Sequence, residues 1–287
     1  MAKSNDEIFS PNTILQISSL FESLNWEIDE QNPIESSVFN RFCDMAAALD
    51  TNQQNLIFEL TKRFLIIDMN EYMPVMLEVL AKIDESKLKN TVVLGPLVAP
   101  ADFKKQKSST ALMYYCKTFR VKYNPKFSGR NTVLHSTPDE LLEDLKKRED
   151  KNISVLLIDD YIGTGQTAIE ATDHIIEQTG INRDKIIVLS LACQEFGRNA
   201  LIDKGIDVIS HYALRKGISD FYDEPLVSRY LEIMGEVERK LKVVKNLRFG
   251  YGASEALVKM ARTPNNTFPI FWLESKKLKR LAPFPRD

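Results

Sequence analysis

Residues 154–158, Ser-Val-Leu-Leu-Ile, run into two carboxylates, Asp159 and Asp160, then Tyr161 and Ile162, then Gly163-Thr-Gly-Gln-Thr167 and a helical pattern that stops at Gly180. This order constrains the chain more than any other feature. A short, continuous apolar run has the texture of a central parallel strand covered on both faces. The two glycines let the backbone turn tightly behind it and bring N–H groups close to an anion. The following helix adds its positive end, which makes the loop a phosphate cradle. Thr164 and Thr167 can add hydroxyl donors to the same phosphate, and Gln166 lies between them. Asp159 and Asp160 accept hydrogen bonds, which suits vicinal hydroxyls or a hydrated magnesium ion. A phosphate held some distance from two acceptors outlines a ribose 5-phosphate.

The same residues admit two other readings. Gly163-x-Gly165-x-x-Ala168 after a strand also fits a loose dinucleotide fingerprint. That fingerprint wants an acid about 20 residues on, at the end of the next strand. Glu195, which would end that strand here, comes too late, and the paired aspartates would sit beside a pyrophosphate with no task. A P-loop is rejected, because Gly-x-x-x-x-Gly-Lys-Ser/Thr is absent.

The rest of the chain sorts into two textures. No glycine occurs before Gly95, and apolar residues recur at three- and four-residue steps through about residue 88. This predicts an all-helical N-terminal domain over 1–88. Ser10-Pro11 opens a helix burying Ile14, Ile17, Leu20 and Phe21, and further helices are expected at about 35–50, 53–68 and 71–84. Such a domain would cap the next one or serve as an oligomerisation surface. From about 89 the pattern alternates. Strands are expected at 91–94, 131–135, 154–158, 186–193 and 206–210, with helices at about 108–123, 138–149, 167–179 and 196–204. Thr137-Pro-Asp-Glu140 is a capping box with proline at the first helical position, and Gly180 suits a left-handed cap. Alternation of this kind implies a mainly parallel sheet with helices on both faces. Ligands of such sheets bind at the carboxyl ends of the strands.

Composition excludes several classes. With 38 basic and 40 acidic side chains among 287 residues, the net charge of −2 supplies no bulk field for nucleic acid or an anionic membrane. Cys43, Cys116 and Cys193 lie far apart with no CxxC, which argues against a zinc site or disulfide framework and suits a reducing cytosol. His135, His174 and His211 show no metal or triad spacing and read as structural or solvated. No signal peptide and no membrane-length apolar run are found, so a cytoplasmic location is expected.

The run Val155-Leu-Leu-Ile-Asp-Asp-Tyr-Ile-Gly-Thr-Gly-Gln-Thr167 resembles the signature by which type I phosphoribosyltransferases bind 5-phosphoribosyl-1-pyrophosphate (PRPP). Gly163 stands where many members have threonine, which removes one hydroxyl donor and keeps the amides. Arg248-Phe-Gly-Tyr-Gly252, residues 263–272 (Thr-Pro-Asn-Asn-Thr-Phe-Pro-Ile-Phe-Trp) and Lys216-Gly-Ile-Ser-Asp220 are similar to a narrower group, PRTase-CE, associated with bacterial conflict and defence loci. The resemblance implies a phosphoribosyltransferase-like α/β fold over 89–287, with hood elements over about 223–287. It makes Asp159 and Asp160 the catalytic pair holding the ribose 2- and 3-hydroxyls, and gives the 5-phosphate to Gly163, Thr164, Gly165, Gln166 and Thr167. Magnesium would arrive with PRPP, bound to the protein at most through water.

The same resemblance places a pyrophosphate loop in Phe103-Lys-Lys-Gln-Lys107-Ser108-Ser109, with Lys107, Ser108 and Ser109 the residues expected to act. A solvated lysine loop with Ser108 as an N-cap explains that stretch equally. Tyr251, Asn265 and Asn266 are the hood candidates for reading a base, against the alternative that they form ordinary turns, and Trp272 reads as core. Lys216 to Asp220 could close over the site or be a surface loop, and the basic run 276–280 reads as a solvated face. The implied activity is transfer of phosphoribose from PRPP to a nitrogen acceptor, a nucleobase or nucleotide-like group, with release of pyrophosphate. A non-catalytic PRPP or nucleotide sensor, and a defence effector controlled by a partner protein, are the competing classes; a homodimer is a further expectation.

Overall fold

The computed structural model describes residues 11–105, 107–150, 152–274 and 281–286. Ser10 and the basic run 276–280 lie outside the described residues. The chain forms two compact units. One comprises Met1–Ile66 with Lys216–Asp287, the other Ile67–Arg215.

The first unit begins with helices α1 (Pro11–Ser23), α2 (Val38–Ala47) and α3 (Thr51–Thr61) and a two-residue strand β1 (Leu65–Ile66). Caps set two of these starts. Ser37 accepts from the Asn40 amide, and Asp50 and Gln53 form a reciprocal capping box. The helix expected over 53–68 ends at Thr61, and residues 65 and 66 pair as a short strand, so this part is helical but for those two residues. The α1 face also differs from expectation. Thr13, Ile17, Leu20 and Phe21 are buried, while Ile14 is 40% exposed.

The second unit carries α4 (Met69–Ala81), β2 (Thr91–Pro96), α5 (Ser108–Cys116), α6 (Phe119–Lys122), β3 (Asn131–Leu134), α7 (Pro138–Lys147), β4 (Ile153–Ile162), α8 (Gln166–Thr179), β5 (Ile186–Gln194), α9 (Glu195–Asp203) and β6 (Asp207–Leu214). Its five strands form one parallel sheet in the order β3-β2-β4-β5-β6. Val155 and Leu157 of β4, Val188 of β5 and Val208 of β6 pack with Leu141 and Leu145 of α7, Ala171 and Ile175 of α8, and Leu201 of α9. The chain reverses direction across the sheet between β2 and β4, and right-handed crossovers then place α5 on the face opposite α7, α8 and α9. The single helix expected over 108–123 is two, because Thr118 is extended (φ −69°, ψ 154°) and restarts it as α6. The capping box of Thr137 and Glu140 forms as read, and Gly180 ends α8 at φ 70°.

The chain then returns to the first unit with α10 (Leu226–Lys240) and β7 (Val258–Lys259), which pairs in parallel with β1. The core of this unit is aromatic and drawn from both ends of the chain. Phe21, Phe39, Phe42 and Phe64 pack with Phe268, Phe271 and Phe284, and Trp26 packs against them. Trp272 is core, as expected: it is 6% exposed and its Nε1 donates to the Thr267 carbonyl at 2.7 Å. A break near residue 88 does not match these units, since α4 packs on β5 and β6 while residues beyond 215 complete the N-terminal helices' core.

Among the described residues no helix is long and apolar enough to cross a membrane. The three cysteines are unpaired, and burial pushes the Cys43 thiol up to about 11 and those of Cys116 and Cys193 to about 12. None is a ready nucleophile at neutral pH.

Candidate functional site

The reversal between β2 and β4 makes a crevice at the carboxyl ends of those strands, the usual ligand position in an open parallel sheet. β4 runs four residues past its expected end at Ile158 and carries Asp159 and Asp160 to its last turn of chain before the loop. Asp160 is 6% exposed and Asp159 half-buried. One oxygen of Asp160 accepts from the Ser108 hydroxyl at 2.7 Å, the other from the Tyr72 hydroxyl at 2.8 Å. Asp159 accepts from the Asp160 amide at 2.9 Å and, more loosely, from Ser108 at 3.4 Å.

This arrangement separates the two acids. Burial, then the neighbouring charge of Asp160, raises the Asp159 carboxyl well above the ordinary aspartate range. Asp160 is met by two hydroxyl donors, from Ser108 and Tyr72. The pair is an acceptor site for hydroxyl or metal-bound water. Among the described residues no set of three His, Cys, Asp or Glu gathers to hold a metal. Two carboxylates that accept hydrogen bonds from metal-bound water suit a hydrated magnesium ion.

The loop beyond β4 is tightly made. Gly165 sits at φ 81° as the cap of α8. Gly197 of α9 presses on it from below: a Cβ at Gly197 would stand 2.0 Å from the Gly163 carbonyl oxygen, and one at Gly165 would stand 2.8 Å from the Gly197 carbonyl. Among the described residues the amides of Gly163, Thr164, Gly165 and Thr167 donate to no backbone carbonyl. The Gln166 amide reaches Thr164 Oγ1 at 3.4 Å, and the Gln166 side chain turns away to Glu170 at 2.6 Å. Free amides at the start of a 14-residue helix are the donors an anion needs.

Of the loop after β2, Ser108 reaches the acids directly. It is the first residue of α5 and not its cap, a place held by Lys107. Lys107 pairs with Asp102 at 2.5 Å, and Ser109 is buried at 1% exposure. Tyr251, Asn265 and Asn266 belong to the first unit, where they build a turn. The Tyr251 amide donates to the Asn265 carbonyl, and Asn266 Nδ2 donates to the Tyr251 carbonyl at 3.2 Å. Gly250 is required there, since a Cβ would stand 1.8 Å from the Asn266 carbonyl. The Lys216–Asp220 segment is tied down by Glu255, whose carboxylate accepts from the amides of Ile218 and Ser219 and from the Ser219 hydroxyl. The histidines are structural in character: His135 pairs with Asp144 at 2.9 Å, and His174 meets the Phe103 ring edge-on.

Two residues of the site carried no sequence signal. Tyr72 lies on a helix read as part of the N-terminal domain, and its partner is 88 positions away. Gly197 sits inside α9, where a lone glycine hints only at a close approach.

The model of one protein family, PRTase-CE, matches residues 75–286. The chain belongs to the PRTase-CE family. It is a phosphoribosyltransferase-like protein, and its parallel sheet with flanking helices is the α/β architecture expected of one. Among solved structures, this PRTase-CE protein is similar to an orotate phosphoribosyltransferase from Aeropyrum pernix at 15% identity, with 59% of this chain and 83% of that one covered and a TM-score of 0.31. A hypothetical protein from Neisseria gonorrhoeae with bound ppGpp matches at 11% identity over 61% of this chain and 98% of that one, with a TM-score of 0.34. No curated protein matches the sequence.

Proposed function

We propose that this PRTase-CE protein binds PRPP at the carboxyl end of β4 and transfers its phosphoribosyl group to a nitrogen acceptor. The observation that carries the reading is the joining of two elements on one strand end. The carboxylate pair Asp159–Asp160 is followed at once by a loop whose amides are free at the start of α8.

In this reading the 5-phosphate lies on the amides of Gly163, Thr164, Gly165 and Thr167, with the Thr164 and Thr167 hydroxyls beside it. The ribose diol donates to Asp159 and Asp160. The bond from C1 to pyrophosphate breaks as a bond from C1 to the acceptor nitrogen forms, and the acceptor's proton passes to solvent. Ribose gains positive character as that bond opens, and the nearby carboxylates stabilise it. Ser108 holds Asp160 in place from the far side of the crevice, with Lys107 and the start of α5 nearest the departing pyrophosphate. Magnesium, when bound, offsets charge on the pyrophosphate oxygens. Asp159 and Asp160 would meet it through water. An acceptor of the nucleobase or nucleotide class fits the reaction, and a toxic effector role in defence is its biological form.

The test is calorimetry with PRPP and magnesium. Asp159→Asn with Asp160→Asn should abolish binding while leaving the circular dichroism spectrum unchanged; undiminished affinity in that variant rejects the assignment. Pyrophosphate release with a panel of nucleobases then separates the transferase from a sensor, which would bind PRPP without turnover.

A further inference from the structure

Between Asp102 and Asp139 the sequence holds eight lysines and arginines and no acidic residue. The near-neutral total charge conceals this run. The structure sorts seven of these cations by what they do, and Lys104 is exposed. Lys105 and Lys107 are paired with Asp102. Lys126 pairs with Glu85 at 3.5 Å, and Arg130 braces the carbonyls of Lys126, Ser128 and Glu85. Lys117, Arg120 and Lys122 are exposed, and among the described residues none of them meets a carboxylate.

Aromatic rings are interleaved with these free cations. Tyr114, Phe119 and Tyr123 are 78%, 70% and 71% exposed. The Tyr123 amide donates to the Phe119 carbonyl at 2.8 Å, so both rings leave one turn of α6 on the same side. Lys122 Nζ stands 5.5 Å from the Tyr123 ring. Beside this turn opens a cleft of about 640 Å³ walled by Lys122, Tyr123, Ser128, Gly129, Arg130 and Thr132. Gly129 is bare on its open side, and Thr132 stands in the cleft wall.

We infer that residues 114–132 form a binding site for single-stranded nucleic acid. Non-specific single-strand sites combine a positive groove that follows the phosphates with aromatic rings on which bases stack. Lys117, Arg120 and Lys122 supply the first, and Phe119 and Tyr123 the second. The cleft takes a sugar-phosphate segment, with the Gly129 backbone as a polar contact. A membrane surface suits this patch less well, because α6 is only four residues long and offers no apolar helix face to embed. The inference is independent of the PRPP reading, since none of these residues belongs to the carboxylate pair or the loop after β4.

The test titrates the full chain into fluorescein-labelled single-stranded RNA of about 12 nucleotides and follows anisotropy at rising salt. Single-stranded DNA, a duplex and heparin serve as further arms. The strand should bind with a log–log salt slope near −2, from about 0.7 per neutralised phosphate and three cations. Lys117→Gln with Arg120→Gln and Lys122→Gln should remove most of that slope. Phe119→Ala with Tyr123→Ala should weaken strand binding by roughly tenfold or more and leave heparin binding unchanged, while Tyr123→Phe keeps the wild-type affinity. All five side chains are exposed, and circular dichroism verifies that each variant is folded. No anisotropy change with wild type at low salt overturns the inference. So does equal affinity of the aromatic variant and wild type for the strand, or a preference for duplex or heparin over the strand.

Discussion

The Tyr72 hydroxyl donates to Oδ2 of Asp160 at 2.8 Å, fixing a site carboxylate from a helix 88 residues upstream. Tyr72 is 4% exposed and Asp160 6%, so water cannot readily replace the bond. A buried acceptor left without its donor costs about 1–3 kcal/mol. Tyr72→Phe should therefore lower unfolding stability by about that amount in urea melts, and should weaken PRPP binding by freeing the Asp160 side chain to rotate. Unchanged stability would mean that the phenol contributes nothing beyond its ring.

In the proposed PRPP site, Asp159 should make binding pH-dependent in a defined direction. Its folded value lies well above 3.8 because of burial and the charge of Asp160. The protonated acid is a poorer acceptor for a diol or for metal-bound water. Affinity should rise with pH as Asp159 loses its proton, and binding near the middle of that titration should release protons. Calorimetry in buffers of different ionisation enthalpy reads the release directly, and uptake of protons would contradict it.

Gly197 should tolerate no side chain. Its Cβ would lie 2.0 Å from the Gly163 carbonyl oxygen, which is backbone and has no rotamer to yield. Overpacking of this kind costs about 1–3 kcal/mol, and here the strain falls on the proposed phosphate loop. Gly197→Ala should lose PRPP affinity more steeply than stability, as comparison of calorimetry with thermal melts would show. An equally tight variant would imply that the loop does not hold the phosphate.

Glu238 gives the first unit an acid-side gain in stability. It is fully buried, accepts from the Phe249 amide at 2.8 and 3.0 Å, and burial lifts its carboxyl from 4.5 to about 7, opposed by that amide and by Arg248. The folded state thus holds a proton that the unfolded chain has lost. Stability from this group is full below pH 4.5 and declines as pH rises toward 7, by at most on the order of 3 kcal/mol. Glu238→Gln keeps an acceptor for Phe249 and should flatten the pH profile of stability across that window. A wild-type slope retained in the variant would place the titration elsewhere.

The parts of this molecule that follow from local chemistry could be read from residues alone. The capping box at Thr137, the left-handed Gly180 and the apolar run into Asp159 each act within a few neighbours, and each folded as its own residues dictate. What escaped depends on distant partners. Ile14 is exposed because Thr13, not Ile14, lies in line with Ile17 and Leu20. Residues 65 and 66 leave a helical pattern because a strand at 258 and 259 pairs with them. Ser108 has the look of a cap, yet its hydroxyl is drawn to a carboxylate 52 residues on. The placing of α4 with the sheet, and with it Tyr72, had no trace in periodicity, since an amphipathic helix does not name the surface it covers.

The aromatic core of the first unit has a consequence for synthesis. Phe21, Phe39 and Phe42 emerge from the ribosome long before Phe268, Phe271 and Phe284, their packing partners. The early helices must therefore wait, with oily faces uncovered, until the segment carrying Phe268, Phe271 and Phe284 has been made. The sheet, encoded without interruption between them, can mature in the meantime. A nascent chain arrested short of Phe268 would leave a finished sheet tethered to sticky, unfinished helices, a state for which chaperone capture is the natural fate.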